Sequence, residues 1–376
     1  MPKKYTGKQI IRAGEVLIDP KVIEDDEKFS LAMDVLSFWR FNHEAPLEVA
    51  FTMLQEVTLK KDKNAIFAKR LKRYVSIVYK LRRFPSMKLK NMQDIGGCRG
   101  IVADKKKLMK VVRDLKKMPE FKNHHGKIRH KDYIKTPKDD GYRGYHLIGR
   151  FPNSNGEERN IEIQLRTRLQ HYWATALEIV DLFTGQALKS NQGEDNWKSF
   201  FYNVGGQFSA MENIHLFSTL PAQQQFNLYV AALNVSSDNI AASESIQYFC
   251  RKLNVIKKLE FFAASLNVID NRIDGAPDSG YVLLKIDTVK NTVSSALFGK
   301  KDSKYAEAQY MATEKEFAEK REMVVALVST TAVGGIKEAY PNYFADSSEF
   351  IKYLIYINES NNSNSFLNKL FGKLVS

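Results

Sequence analysis

Residues 160–166 restrict most what this chain can fold into. Ile161, Ile163 and Leu165 alternate there with Glu162, Gln164 and Arg166, the period of a strand with one apolar and one polar face. The apolar face needs a core beneath it. The other face sets a carboxylate, an amide and a guanidinium side by side as a polar floor. A second strand, 145–151, precedes it across the turn-rich segment 152–156.

The flanking segments predict helices around these strands. Residues 21–60 read as helical. The spacing of Phe67, Leu71, Tyr74, Val78 and Leu81 predicts one helix over 65–84. Lys69, Arg73, Ser76, Lys80 and Arg83 then occupy its opposite face, with Arg70 and Lys72 at the flanks, as a cationic rail. A strand is expected at 95–102, a basic amphipathic helix at 104–118 and a long loop at 121–144. From 169 to about 270 the pattern is helical, broken near Gly193, Gly205-Gly206 and Pro221. Gly, Pro and Asp in 271–280 mark a boundary. Beyond it lie strands 281–287, 292–298 and 323–329, a helix at 302–320 and the aromatic segment 350–357; a loop at 358–365 leads to a last short helix. The class is α+β.

Charge narrows the partners. Of the 57 Lys and Arg in 376 residues, 35 lie within residues 1–150, against 18 of the 43 Asp and Glu. The whole basic excess therefore sits in the first part of the chain and would attract a polyanion, whether nucleotide phosphates, nucleic acid or an anionic membrane face. No apolar run reaches the length of a membrane span, and no apolar core follows the basic N-terminus as in a secretory signal. A cytoplasmic protein is expected. Its two cysteines, Cys98 and Cys250, cannot form a disulfide framework or a four-ligand zinc site by themselves.

Four patches carry chemistry: Arg70-x-Lys72-x-x-x-Ser76-Ile77-x-x-Lys80-Leu81, Asp94-Ile95-Gly96-Gly97-x-Arg99, Gly141-Tyr142-Arg143-Gly144-Tyr145-His146, and Glu162-Ile163-Gln164-Leu165-Arg166-Thr167. Asp94 and Glu162 could share a Mg²⁺ with substrate phosphates, since that ion is held by one or two carboxylates plus phosphate oxygens. Arg and Lys of the rail suit a triphosphate. Metal, charge neutralisation and an aligned nucleophile are what phosphoryl or pyrophosphoryl transfer requires. Neither a Walker A pattern nor a kinase glycine loop is present. Tyr142 offers an aromatic face for a base.

Taken in order over about 60–185, these patches resemble the synthetase domain of the RelA/SpoT family, which makes (p)ppGpp. The resemblance implies a mixed sheet flanked by helices, with Mg²⁺ as cofactor and ATP as pyrophosphate donor. Asp94 and Glu162 match the metal-binding and catalytic acids, Glu162 also helping to deprotonate the accepting hydroxyl. Arg70, Lys72, Ser76, Lys80 and Arg99 match the ATP side. Tyr142, Arg143, His146, Gln164 and Arg166 match the acceptor side. Gly144 stands where the family usually has Ser, and ATALEIV after Trp173 displaces a common Glu-His pair. No His-Asp dipeptide occurs, so the hydrolase half of long members is not expected.

The architecture is most similar to the toxic small alarmone synthetases, above all the fused toxin–antitoxin type called CapRel. That resemblance implies pyrophosphorylation of the 3′ CCA end of tRNA, which blocks translation in anti-phage defence. It also implies a toxin domain at 1–272 (core 60–185, helical extension 186–272) and an autoinhibitory α+β domain at 273–376, shaped like a zinc finger without zinc. Tyr353-Leu-Ile-Tyr356 matches the motif that shields the ATP pocket, and a phage protein, typically a capsid protein, is the implied trigger. On residues alone, Tyr353 and Tyr356 read equally well as core aromatics. A basic patch including Arg113, Lys116, Lys117, Lys127 and Arg129 exceeds what a mononucleotide needs and favours tRNA. The alternatives are a (p)ppGpp synthetase acting on GDP or GTP and a catalytically silent RNA-binding module; the acids Asp94 and Glu162 argue against the latter.

Overall fold

The structure is a computed structural model. It describes residues 4–19, 26–72, 74–153, 155–184, 188, 193–274, 279–287, 290, 292–317, 323–329 and 343–360. The expected final helix lies outside them. Two compact units emerge. The first comprises residues 1–135 and 144–167, the second 136–143 and 168–376.

The first unit opens with α1 (Gly7–Val16), α2 (Asp26–Phe41) and α3 (Glu44–Leu59). A capping box at Thr6 and Gln9 starts α1. Then follow β1 (Ile66–Leu71), α4 (Tyr74–Arg83), β2 (Gly96–Val102), α5 (Lys105–Leu115), β3 (His130–Asp132), β4 (Tyr145–Pro152) and β5 (Glu158–Thr167). The five strands form one sheet in the order β1-β2-β5-β4-β3, with β2 and β5 parallel and the other pairs antiparallel. The sheet's apolar face carries Cys98, Leu147, Phe151, Ile161, Ile163 and Leu165. It is covered by Leu47, Ala50, Leu54 and Val57 of α3 and by Leu108, Val111, Val112 and Leu115 of α5. A second apolar cluster joins α1, α2 and α4 to Leu89, Met92 and Ile95.

Two expectations for this unit are corrected. The single helix over 65–84 is a strand followed by a helix. Ile66–Leu71 pairs along its whole length with β2, and Lys72 N–H prolongs the pairing to the Ile95 carbonyl at 2.7 Å. Phe67 and Leu71, four apart, share a face in a strand as readily as in a helix, so their spacing did not discriminate. The cationic rail is accordingly divided between β1, the turn after it and α4. Strict strand alternation from Asp94 to Arg99 would set the two on opposite faces, and a bulge at Gly96-Gly97 would reconcile them; β2 has none, holding an unbroken register with both neighbours. Asp94 lies before the strand begins, which removes the conflict with Arg99.

In the second unit α6 (Arg168–Thr184), α7 (Asp195–Asn213), α8 (Ala222–Leu233), α9 (Ser237–Leu253) and α10 (Val255–Asp274) precede a three-stranded antiparallel sheet. That sheet has the order β7-β6-β8, with β6 (Ser279–Asp287), β7 (Thr292–Gly299) and β8 (Met323–Ser329). Helix α11 (Ser303–Phe317) lies between β7 and β8, and α12 (Tyr343–Asn358) follows. Helix α7 runs unbroken through Gly205-Gly206, where a break was expected; Gly205 serves a close approach described below. Among the described residues, no helix is long and apolar enough to cross a membrane.

Candidate active site

The polar face of the first unit's sheet is built by register. Arg70 lies opposite Gly97, and Gly97 aligns with Glu162. One row further along, Arg99 aligns with Gln164, which pairs with His146, which in turn pairs with Lys131. Residues directly opposed in a sheet share a face. Arg70, Arg99, Lys131, His146, Glu162 and Gln164 therefore stand on one surface, with Gly97 leaving a gap between Arg70 and Glu162. Arg166 belongs to the same face but is buried.

Glu162 is held on both oxygens. His146 Nδ1 lies 3.0 Å from Oε1, and Gln164 Nε2 donates to Oε2 at 2.7 Å. Burial alone would raise its pKa. The charge and hydrogen bond of His146, the Gln164 amide and the charge of Lys80 outweigh burial and hold the carboxyl well below the usual range. Such a carboxylate is a lasting hydrogen-bond acceptor and cation ligand, and only a weak proton acceptor. Gln164 also accepts a long contact from Arg99 Nη2, at 3.4 Å.

Asp94 is the other charged centre. Its Oδ2 receives Lys72 Nζ at 2.9 Å and Lys80 Nζ at 2.8 Å, while Oδ1 is buried without a hydrogen-bond partner. Burial lowers the pKa of Lys72 and the Asp94 charge offsets part of the drop. Both lysines thus wait on a carboxylate that a substrate phosphate could replace. Ser76 is exposed on α4.

Tyr142 and Arg143 lie in the second unit. Tyr142 is only 8% exposed, edge-on to Trp173 at 6.2 Å, with Lys138 Nζ 4.7 Å from its ring centre. The open aromatic face expected from the sequence is covered in this state. Arg143 Nε donates to the Gly205 carbonyl at 3.2 Å.

The basic patch divides. The buried face of α5 lies on the apolar side of the sheet, so Arg113 and Lys117 stand exposed behind the core, away from Glu162. Both flank Asp114, and Lys116 lies over the Tyr145 ring at 5.2 Å. Arg129 instead reaches Asn160 on the polar face, at 2.6 Å, and Lys127 is exposed at the same edge. Lys131, part of the same basic run in the sequence, lies on β3 beside His146, a strand of three residues that shows no periodicity and falls where a loop was expected.

Tyr353 and Tyr356 are core side chains of the second unit. Tyr353 packs against Tyr172, Phe208 and Phe217; Tyr356 packs against Phe226 and donates to Gln225 Oε1 at 3.1 Å. Burial pushes both phenols up.

Residues 69–179 match the family described as the region found in RelA / SpoT proteins. The GTP pyrophosphokinase YwaC of Bacillus subtilis (strain 168) is 32% identical over 168 residues, which span 42% of this chain and 75% of YwaC. The chain belongs to the RelA/SpoT family of pyrophosphotransferases. The GTP pyrophosphokinase YjbM of the same organism is 33% identical over 111 residues, 28% of this chain. The chain spans about half the length of YjbM (51%). The crystal structure of small alarmone synthetase 1 from Bacillus subtilis bound to its product pppGpp aligns with a TM-score of 0.40 and 22% identity, over 47% of this chain and 93% of that one.

The resemblance read from the sequence implies a divalent cation at this site. Its donor set suits such an ion: Asp94 Oδ1 is buried and unengaged, and Glu162 stays ionised. Among the described residues no cluster of three or more His, Cys, Asp or Glu could hold a metal, so water and phosphate oxygens would complete the shell, as Mg²⁺ prefers.

Proposed function

We propose that the chain transfers pyrophosphate from ATP to the 3′ CCA end of tRNA, and that residues 273–376 restrain it until a phage protein binds them. The observation that carries the transfer chemistry is Asp94, clasped by Lys72 and Lys80, in reach of the same Lys80 charge that acts on Glu162. Arg70, Lys72, Lys80 and Arg99 hold the triphosphate, with Ser76 at its margin. Mg²⁺, held by Asp94 and Glu162, neutralises phosphate charge when bound. The acceptor hydroxyl attacks the β-phosphorus, the bond from that phosphorus to the α–β bridging oxygen breaks, AMP departs, and the hydroxyl proton passes to solvent water, Glu162 serving to orient the hydroxyl as a hydrogen-bond acceptor. Gln164 and Arg166 shape the acceptor side of the sheet's polar face, and Tyr142 is assigned to the acceptor by its place in the motif.

The tRNA acceptor rests on the cationic edge formed by Lys127, Arg129 and Lys131, three charges in addition to those assigned to ATP. Arg113, Lys116 and Lys117 contribute only to long-range attraction. A second reading, GDP or GTP as acceptor, is favoured by YwaC and YjbM, both GTP pyrophosphokinases. The test is ATP labelled in its β- and γ-phosphates, given with GDP, GTP or deacylated tRNA to the full chain and to the full chain released by Tyr353→Ala with Tyr356→Ala. Label on tRNA supports the first reading. Label on guanosine nucleotides alone replaces it with the second. The full chain is the right reagent, because α12 fills the aromatic core between α6, α7 and α8 and a 1–272 fragment would lay that core open.

A further inference from the structure

Residues 136–143, which carry Tyr142 and Arg143, form a compact unit with the helices. Their seat is a single turn of α7. At Gly141 the backbone takes φ +88°, and a Cβ there would lie 2.9 Å from Tyr202 Cα; only glycine suits both conditions. Across the contact, a Cβ on Gly205 would lie 2.7 Å from the Gly141 carbonyl oxygen, a backbone atom with no easy retreat. The Gly205 carbonyl also accepts from Arg143 Nε, and Trp173, edge-on to Tyr142, donates through Nε1 to the Phe201 carbonyl at 2.8 Å. The loop closes on itself as well: Gly141 N–H donates to the Lys138 carbonyl, and Tyr142 N–H to Asp140 Oδ1. Two glycines, one on each partner, permit an approach that any side chain would block.

We infer that α7 is the positioning element of the acceptor loop: Gly205 is the notch that seats Gly141, and Arg143 is the tether that holds it there. Arg143 thereby has a role different from direct acceptor contact. The inference rests on the reading that Tyr142 binds the acceptor, and its test separates the two.

The adjoining Gly206 supplies an internal control, since a Cβ there meets nothing within 4 Å. The full-length chain is compared as Gly205→Ala, Gly206→Ala and Arg143→Lys. Three quantities are read: hydrogen exchange of the 138–142 amides, Kd for GDP and for deacylated tRNA, and Kd for a non-hydrolysable ATP analogue. Gly206→Ala should leave all three unchanged. Gly205→Ala should speed exchange in the loop and raise Kd for whichever acceptor binds by about tenfold, about 1.4 kcal/mol, with ATP-analogue affinity within about twofold. Arg143→Lys, which keeps the charge and loses the Nε donor, should show the same pattern more weakly. Unchanged exchange in Gly205→Ala would overturn the seating and leave the acceptor role of Tyr142 intact. Faster exchange with unchanged acceptor affinity would overturn the acceptor role of the loop, and with it the inference. Equal loss of ATP and acceptor binding would overturn it as general damage to the fold.

Discussion

Acid should weaken the first unit through one residue. His43 precedes α3, is 1% exposed, and has Nδ1 2.8 Å from the Trp39 carbonyl. Burial, with a smaller contribution from the Arg159 charge, pushes its pKa from 6.5 down to about 4 against the opposing backbone hydrogen bond. Unfolded, the imidazole takes a proton below about pH 6.5; folded, it resists until about pH 4. Between those values the unfolded state binds more protons, so stability falls as pH falls. The stabilising effect is complete above the unfolded pKa and lost by about pH 4. Between pH 7 and 5 the linkage amounts to about 2 kcal/mol, and to about 3 kcal/mol at its limit. His43→Asn keeps a side-chain nitrogen near the Trp39 carbonyl and removes the titration. Urea midpoints of the first unit, read by pulsed hydrogen exchange at β2 and β5 amides, should drop for wild type between pH 7 and 5 and barely move for His43→Asn. Equal drops in both proteins would refute the neutral, buried imidazole. The site would feel this loss, because His43 lies beneath Gly96, at 3.5 Å from where a Cβ there would stand.

Asp94→Asn or Glu162→Gln should lower pyrophosphate transfer by at least about a hundredfold, while β2 and β5 amides keep their protection; near-normal turnover in either would sink the assignment. Because Glu162 is held below the usual carboxylate range, its contribution to stability is present above about pH 4.3 and lost as pH falls further, so its titration should produce no acid limb in a rate profile taken from pH 5.5 to 8. Removing Lys127, Arg129 and Lys131 together should shallow the salt dependence of tRNA binding by up to about three phosphate contacts, whereas removing Arg113 and Lys117 should change it little; the reverse would place tRNA behind the sheet. Tyr356→Phe should cost about 1 kcal/mol through the lost Gln225 bond and Tyr353→Ala about 3–5 kcal/mol through the cavity. If residues 273–376 restrain the enzyme, the Tyr353→Ala, Tyr356→Ala double variant should raise transfer in the full chain at temperatures where it is still folded; unchanged transfer there removes the restraint.

The strands that build the polar floor were legible because each half-buried strand writes its two faces into alternate residues. Both β4 and β5 fall within two residues of their expected ends. β1 was not legible. Lys69, Arg70 and Lys72 suit a helix, and the four-residue step from Phe67 to Leu71 fits either period; pairing with β2, a tertiary event, decides it. Helix α1 went unread because its sequence, GKQIIRAGEV, is hardly apolar, although the Thr6–Gln9 capping box marks its start. Among site residues, Asp94, Lys72, Lys80, Glu162 and His146 are brought into direct contact as pairs. The division of the cationic patch followed from which face of α5 is apolar and which side of the sheet that face covers. Only the second fact needed a structure.

The acceptor loop and the C-terminal helix meet the same element. On α7, Phe201 and Tyr202 border the Gly141 seat and Gly205 forms its notch; Phe201 and Phe208 of that helix also pack against Phe350, and Phe208 against Tyr353. A helix is stiff over two turns, and a packed aromatic interface has discrete arrangements in place of a continuous range. Any event that withdrew α12 would therefore be felt at Phe201 and Phe208, and through them at the turn that seats Gly141. Its leverage is set by differential affinity: turning a 1:99 ratio of released to docked helix into 99:1 needs a partner that binds the released state about 10⁴-fold more tightly, about 5.5 kcal/mol. A trigger acting in this way needs no contact with ATP or with the acceptor. It needs only to compete for the aromatic face of α12, and Phe350, Tyr353 and Tyr356 form that face.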